Sequence, residues 1–216
     1  MSVREVVIAG ETMLLLAEKA VVWPREKMLI IADIHFGKAA SFRAAGVPVP
    51  RGTTSENLAA LDALIAAHDI GHVMFLGDFL HARAAHASAT VAAMLAWRLR
   101  HARLKLTLVR GNHDRHAGDP AASLLIDLVD EPFEMGPFAF CHHPDLATSA
   151  YALAGHIHPS YRLSTRFDSL RLPCFVVGAT RMILPSFGSF TGGFLITPLD
   201  DDTIYVTSGE AVHLVR

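Results

Sequence analysis

Apolar residues along this chain gather into short runs, and several of those runs stop abruptly at residues able to bind metals. In LKLTLVRGNHD, residues 104–114, the first six positions are apolar at four sites and β-prone, which predicts a buried strand. Arg110-Gly111-Asn112-His113-Asp114 is the turn that leaves it. The same event recurs at MLIIADIH, where Asp33 and His35 follow a strand at 27–32, at HVMFLGD, where Asp78 follows 73–76, and at YALAGHIH, where His156 and His158 follow 151–154. Asp33 and His35 stand two apart and are expected to project to one side of an extended chain.

Periodicity supplies the elements between these points. Strands at 6–8 and 13–17, joined through Ala9-Gly10-Glu11, predict a hairpin, and 21–23 adds a third strand before Pro24. Segment 36–52 carries Gly37, Gly46, Pro48 and Pro50 and is expected to be a loop with at most a short helix. Thr53 and Glu56 have capping-box spacing, and Leu58, Leu61, Leu64 and Ile65 give the following helix its apolar face. A second helix is predicted at 88–100, with Val91, Met94, Leu95 and Leu99 on its buried stripe, and a third around 121–126. A strand at 138–141 ends in His142-His143-Pro144. Beyond Arg171, strands at 174–177, 181–184, 194–196, 203–206 and 212–215 are punctuated by Gly and Pro. Strand–helix alternation followed by a run of strands predicts mixed sheets with helices outside.

Composition sets limits on this picture. With 216 residues, 51% of them hydrophobic, the chain can bury a full core as one domain, 1–216. A net charge of −2 excludes a broadly basic nucleic-acid binder, yet leaves room for a local groove or for metal ions to attract phosphate. Cys141 and Cys174 do not make a disulfide framework, and Arg4, Glu5 and Glu11 interrupt any leader-like apolar stretch, so a cytoplasmic, reduced protein is expected. No apolar run approaches the roughly 20 residues of a spanning helix, so no membrane association is expected.

In open α/β sheets, polar groups placed just beyond the carboxyl ends of strands converge on one crevice. Convergence of Asp33, His35, Asp78, Asn112, His142, His156 and His158 would supply seven hard or borderline ligands and no thiolate. Such a set favours Mn²⁺, Fe or Zn²⁺, and it is too large for one ion. Two ions then require a bridging carboxylate, and a pair roughly 3.5–4 Å apart would hold a shared hydroxide and clamp the attacking and leaving oxygens of a phosphoryl transfer.

Asp33-Ile34-His35, Gly77-Asp78, Gly111-Asn112-His113-Asp114, His142 and Gly155-His156-Ile157-His158, in this order, resemble the motif set of the calcineurin-like binuclear metallophosphoesterases. The resemblance implies a four-layer α/β/β/α sandwich of two mixed sheets flanked by helices. It also implies that Asp33, His35 and His158 hold one metal and Asn112, His142 and His156 the other, with Asp78 bridging. His113 would sit over the scissile phosphate, stabilising transition-state charge or protonating the leaving oxygen.

Phosphoprotein phosphatases carry Gly-Asp-x-x-Asp-Arg-Gly at the second motif, whereas this chain has Gly77-Asp78-Phe79-Leu80-His81. A histidine there is similar to the double-strand-break repair nucleases of the superfamily, and implies that His81 touches substrate phosphate or orients His113. The tail from Leu184 to Gly193, LPSFGSFTGG, and the Cys141-His142-His143-Pro144 wording resemble the ligase-associated DNA damage response endonucleases. That resemblance implies a manganese-dependent endonuclease on DNA, single-stranded DNA favoured, in a bacterial repair set with an ATP-dependent ligase, a helicase and an exonuclease. The alternative is a small-molecule phosphoesterase acting on nucleotides, cyclic nucleotides or other phosphate esters.

Lys38, Arg43, Arg51, Arg83 and Arg115 lie in segments expected to flank the centre and, with Phe36 and Phe42, are candidates for phosphate contact and base stacking. The competing reading is a solvated loop whose phenylalanines pack on the core. His142 is favoured over His143 as ligand because it comes first after its strand. Asp114 reads as a turn former, and Cys141 as an inert buried thiol.

Overall fold

The central strands bury both faces, and each face takes a different partner. The structure, a computed structural model, describes residues 3–49 and 52–216. Strands β1 (Val3–Ile8), β2 (Glu11–Leu16), β3 (Val21–Trp23) and β4 (Met28–Ile31) pair antiparallel in chain order, and β5 (His72–Leu76), β6 (Lys105–Val109) and β7 (Asp127–Val129) extend the same sheet in parallel. Parallel neighbours need crossovers, which α1 (Lys38–Ala44) and α2 (Thr53–Ala67) provide from β4 to β5, and α3 (Ser88–Arg100) from β5 to β6. Leu29, Ile31, Val73, Phe75, Leu106 and Leu108 point to the helix side, against Leu58, Leu61, Leu64, Met94 and Trp97. Met28, Ile30, Met74, Leu76 and Val109 point the other way, into the second sheet.

That second sheet contains β8 (Phe133–Met135), β9 (Phe138–Phe140), β10 (Tyr151–Ala154), β11 (Pro159–Ser164), β12 (Ser169–Val177), β13 (Arg181–Ile183), β14 (Phe194–Leu195), β15 (Thr203–Thr207) and β16 (Val212–Leu214). Its path is β14-β11-β12-β13-β10-β9-β8, with β15 on β12 and β16 on β15. β9, β10 and β13 run parallel and the remaining neighbours are antiparallel, apart from β14 on β11. Phe138, Phe140, Leu153, Phe175 and Met182 fill the space between the sheets, each fully buried side chain contributing about 1.5–3 kcal/mol. The architecture is two mixed sheets with flanking helices, as expected.

Several local expectations are corrected. Segment 121–126 is not an α-helix: a 3-10 turn, Ala122–Leu124, ends at Leu125 in the left-handed region (φ 52°), and the chain then pairs with β6 as β7. The helix after residue 52 is capped by Gly52, not Thr53, and no side chain caps it. In α3 the inward position belongs to Trp97, while Leu99 is 78% exposed. The short helix expected within 36–52 is α1. No helix among the described residues is long and apolar enough to cross a membrane.

Candidate metal centre

Parallel register puts the ends of β4, β5 and β6 side by side, and the parallel pair β9–β10 brings two more ends to the same edge. Just past them come Asp33 and His35, Asp78, Asn112, His142, and His156 with His158. The loops after β4 and β5 stay in register: the His35 N–H donates to Asp78 O at 2.9 Å and the Phe36 N–H to Phe79 O at 2.8 Å. Extended alternation does not aim Asp33 and His35, contrary to expectation. Asp33, His35, Asp78, His156 and His158 all have φ in the left-handed region, at 54°, 50°, 51°, 71° and 52°. Non-glycine residues there cost of order 1 kcal/mol each and persist only where the surroundings impose them.

Three motif glycines make room for candidate ligands from other loops. An added Cβ on Gly77 would strike the His142 ring, and one on Gly111 would strike Asp78. On Gly155 it would lie 2.7 Å from Asp33 Oδ2 and 2.8 Å from Ala32 Cβ. Each Gly in Gly-Asp, Gly-Asn-His-Asp and Gly-His-x-His is thus explained by a neighbouring carboxylate or imidazole.

The side chains form two groups. In one, His158 Nε2 lies 3.5 Å from Asp33 Oδ1 and 3.3 Å from His35 Nε2. In the other, His142 Nε2 lies 2.8 Å from Asn112 Oδ1 and 3.0 Å from His156 Nδ1. Asp78 stands between them, with Oδ2 3.7 Å from His35 Nε2 and Oδ1 3.4 Å from His142 Nε2. Tautomers are fixed from outside the site: His142 Nδ1–H donates to Leu76 O at 3.0 Å and His158 Nδ1–H to Gly192 O at 3.2 Å, which leaves both Nε2 lone pairs facing inward.

Electrostatics favour neutral rings. Burial holds the His35 imidazole far below its usual range, assisted by Lys38 and by His158, His113 and His81. It lowers His142 despite Asp33, and lowers His156 together with His142 and His143. Burial and then the Asp33 carboxylate push Asp78 up to about 6. Two carboxylates and several neutral imidazoles without a cation are an unbalanced set. Asp33 Oδ1 is buried with no hydrogen-bond donor, and His35 Nδ1 is buried and likewise unpartnered. The oxygen and nitrogen donors converging here therefore fit divalent metal ions.

A surrounding layer of polar contacts escapes sequence reasoning. Asp114, expected to form a turn, is buried and accepts the N–H groups of Leu80 at 2.8 Å, Gly111 at 3.0 Å and Phe79 at 3.3 Å, tying the loops after β5 and β6 together. Glu131 accepts the His142 N–H at 2.8 Å and the His143 N–H at 2.9 Å and bonds His143 Nδ1 at 2.7 Å. His143 is thereby held by a carboxylate while His142 faces Asp78. Asn57 donates to Ile34 O at 3.1 Å and accepts the Ser189 N–H at 3.0 Å. Its one sequence signal is an amide on the apolar stripe of α2.

His113 occupies the first turn of α4 (Asn112–Ala117), where its backbone N–H donates to Asp78 Oδ1 at 2.9 Å and its Nδ1–H to His81 O at 2.8 Å. Its Nε2 lies 3.9 Å from Asp78 Oδ2. The His81 ring stacks on His113 at 4.8 Å, and burial, then His113 and Lys38, bring His81 down to about 4. Half-buried Lys38 is pulled down by burial and up by Asp33 and Asp78, so it lies within reach of the centre's charge. Arg43 and Arg83 are exposed, Arg115 pairs with Asp130 at 3.6 Å, and Arg51 lies outside the described residues. Phe36 is core, T-stacked on Phe79, and cannot serve as a stacking platform, whereas Phe42 sits 6.2 Å from His81. Burial pushes the Cys141 thiol up to about 11, as an inert thiol requires.

A family model described as calcineurin-like phosphoesterase matches residues 26–171. The crystal structure of Pseudomonas putida nuclease MPE is similar over 99% of this chain and 100% of that one, with 45% identity and a TM-score of 0.88. Yfce, a phosphoesterase from E. coli, is similar over 87% of this chain and 97% of that one, with 15% identity and a TM-score of 0.43. No match is found among curated proteins. The chain belongs to the calcineurin-like phosphoesterase family and is a metal-dependent phosphoester hydrolase.

Proposed function

We propose that this protein is a binuclear metal-dependent phosphodiesterase that cuts DNA internally, single-stranded DNA in preference, with Mn²⁺ as its ion. The observation that carries the binuclear part is the split carboxylate of Asp78, one oxygen of which lies near His35 and the other near His142. In this reading Asp33, His35 and His158 would hold one ion and Asn112, His142 and His156 the other, with Asp78 placed to serve both. The nuclease part is supported by the full-length similarity to the Pseudomonas putida nuclease.

When bound, two divalent ions supply Lewis-acid polarisation of the phosphate and activation of water. His113 adds proton chemistry: with Nδ1–H fixed on His81 O, its Nε2 faces the centre and is placed to deliver a proton to the leaving oxygen. His81 stacks on that ring and limits its rotation. Lys38 adds positive charge where phosphate would lie, with Arg43, Arg51, Arg83 and Arg115 as outer candidates. Strands from both ends of the chain complete the sheets, which supports a single domain over 1–216. A place in a bacterial repair set with an ATP-dependent ligase, a helicase and an exonuclease rests on the wording at 141–144 and 184–193, and a cytoplasmic location on the free thiols of Cys141 and Cys174.

Cleavage of circular single-stranded DNA by metal-stripped protein, resupplied with Mn²⁺, Mg²⁺, Zn²⁺ or nothing, tests the proposal. A circle has no ends, so linear product requires internal cutting. Metal-dependent linearisation, strongest with Mn²⁺, is expected. No cutting with any ion, alongside turnover of an aryl phosphodiester, would assign the site to small-molecule phosphate esters instead.

A further inference from the structure

Cations are distributed unequally around the centre. Toward Asn112 and His142 they are neutralised: Arg110 pairs with Asp119 at 3.0 Å and lies 3.7 Å from Asp130, which Arg115 also meets. Toward His158 the chain runs straight into the β11–β12 hairpin, which carries Arg162, Arg166 and Arg171 against one carboxylate, Asp168. Antiparallel register sets Arg162 opposite Arg171, so two guanidinium groups share one face, an arrangement that is unfavourable without an anion. Arg171 is occupied, donating to Ser160 Oγ at 2.8 Å and to Gly193 O. Arg162 and Arg166 have no carboxylate partner among the described residues.

Exposed aromatic rings accompany these cations. Phe167, 90% exposed at the hairpin tip, lies 5.5 Å from the Arg166 guanidinium. The tip is ordered by its own turn, in which Thr165 Oγ1 accepts the Asp168 N–H at 3.1 Å and the Thr165 N–H meets Asp168 O at 2.8 Å. Phe194, 65% exposed, pairs in register with Pro159 and so lies on the Tyr161–Leu163 face of the sheet, away from Arg162. In the preceding loop Phe190 contacts Phe42, itself beside His81. Neither Phe167 nor Phe194 contributes to the core.

We infer that the β11–β12 hairpin and the loop before β14 form a track for a single-stranded nucleic acid. Resting on the nuclease reading above, it deepens that reading by naming the path of the substrate. The strand leaves the metal centre on the His158 side, sets its phosphates against Arg162 and Arg166, and stacks a base on Phe167. Phe194 takes no part in the track. Cations interleaved with exposed rings suit a single strand, because the π-faces of duplex bases are already stacked. β11 spans about 20 Å at about 3.3 Å per residue, enough for several nucleotides.

The test compares full-length wild type, Arg162→Ala/Arg166→Ala and Phe167→Ala on a long single-stranded oligonucleotide and on an aryl phosphodiester, across a salt series. For the double variant, the salt slope of oligonucleotide binding is expected to fall by about 1.4, which is about 0.7 for each phosphate left unneutralised. For Phe167→Ala, KM for the oligonucleotide is expected to rise about 5- to 150-fold relative to the aryl diester. Unchanged slopes and unchanged substrate ratios in variants of a wild type that cuts DNA would overturn the track while sparing the nuclease reading. A wild type that hydrolyses only the aryl diester would overturn both.

Discussion

Asp33 Oδ2 accepts the backbone N–H of His156 at 2.9 Å and so fastens the loop after β4 to the loop after β10, 123 positions away. That contact exists because Gly155 presents no side chain, and an added Cβ would meet the strand atoms Ala32 Cβ at 2.8 Å and Leu76 O at 3.1 Å as well as Asp33. Ala32 Cβ and Leu76 O cannot swing aside, so the Asp33 carboxylate has to move. Gly155→Ala is expected to cost about 1–3 kcal/mol of stability through overpacking. Displacing Asp33 is expected to cost about 100-fold in activity. Gly71→Ala, where only Lys27 Cβ lies near, at 4.0 Å, is the control; equal activities of the two variants would remove the packing argument.

His113→Ala separates proton chemistry from metal holding. Its ring borders His35, but its Nδ1 is committed to His81 O. Turnover is expected to fall by about 10²–10⁴, with metal content per chain unchanged by elemental analysis. Loss of the ions, or full activity, would contradict the role assigned to it.

Acid sensitivity is expected from a histidine away from the centre. Burial, then Lys105, brings His72 down to about 4, against Asp127, and its Nε2 lies 2.9 Å from Thr107 Oγ1. The unfolded chain takes up a proton near pH 6.5 while the folded one does not, so this contribution is complete above that pH and is lost as pH falls toward about 4. Because His72 is only half-buried, the loss is about 1–2 kcal/mol rather than the full linkage value. Chemical denaturation of His72→Gln between pH 4 and 7 should show a flatter acid limb than wild type; identical limbs would show that His72 does not drive it.

Arg98 offers a stability change uncoupled from chemistry. Nearly buried in α3, its guanidinium donates to His101 O at 2.6 Å and Leu104 O at 2.8 Å, satisfying carbonyls beyond the helix end. Arg98→Met is expected to lower stability by about 1.5–3 kcal/mol, with activity per folded molecule unchanged. A specific activity that falls along with stability would show that α3 reaches the centre.

The convergence of the candidate ligands is legible in the sequence because each follows an apolar strand, and parallel strands deliver their ends to one edge. Their aim is not legible. Left-handed turns at Asp33, His35, Asp78, His156 and His158 depend on hydrogen bonds between loops such as His35 N–H to Asp78 O, which no local pattern encodes. β7 resembles part of a helix because Leu124, Leu125, Ile126 and Leu128 fit helical spacing as well as they fit an edge strand on β6. β11 is hidden because Arg162, Ser164 and the turn after it look like a polar loop, although Tyr161 and Leu163 pack inward. The roles of Asp114 and Glu131 are equally hidden, because most of their partners are backbone N–H groups, which side-chain patterning does not register.

Metal stoichiometry of Asp78→Ala beside wild type is the most direct measurement. Stripped protein would be titrated with Mn²⁺ and the bound ion counted per chain after gel filtration, with exchange coupling between ions read by electron paramagnetic resonance. Wild type is expected to bind two ions that are magnetically coupled, and the variant one or none, with the coupling abolished. Two coupled ions in Asp78→Ala, or a single ion in wild type, would contradict a centre built around the split carboxylate of Asp78.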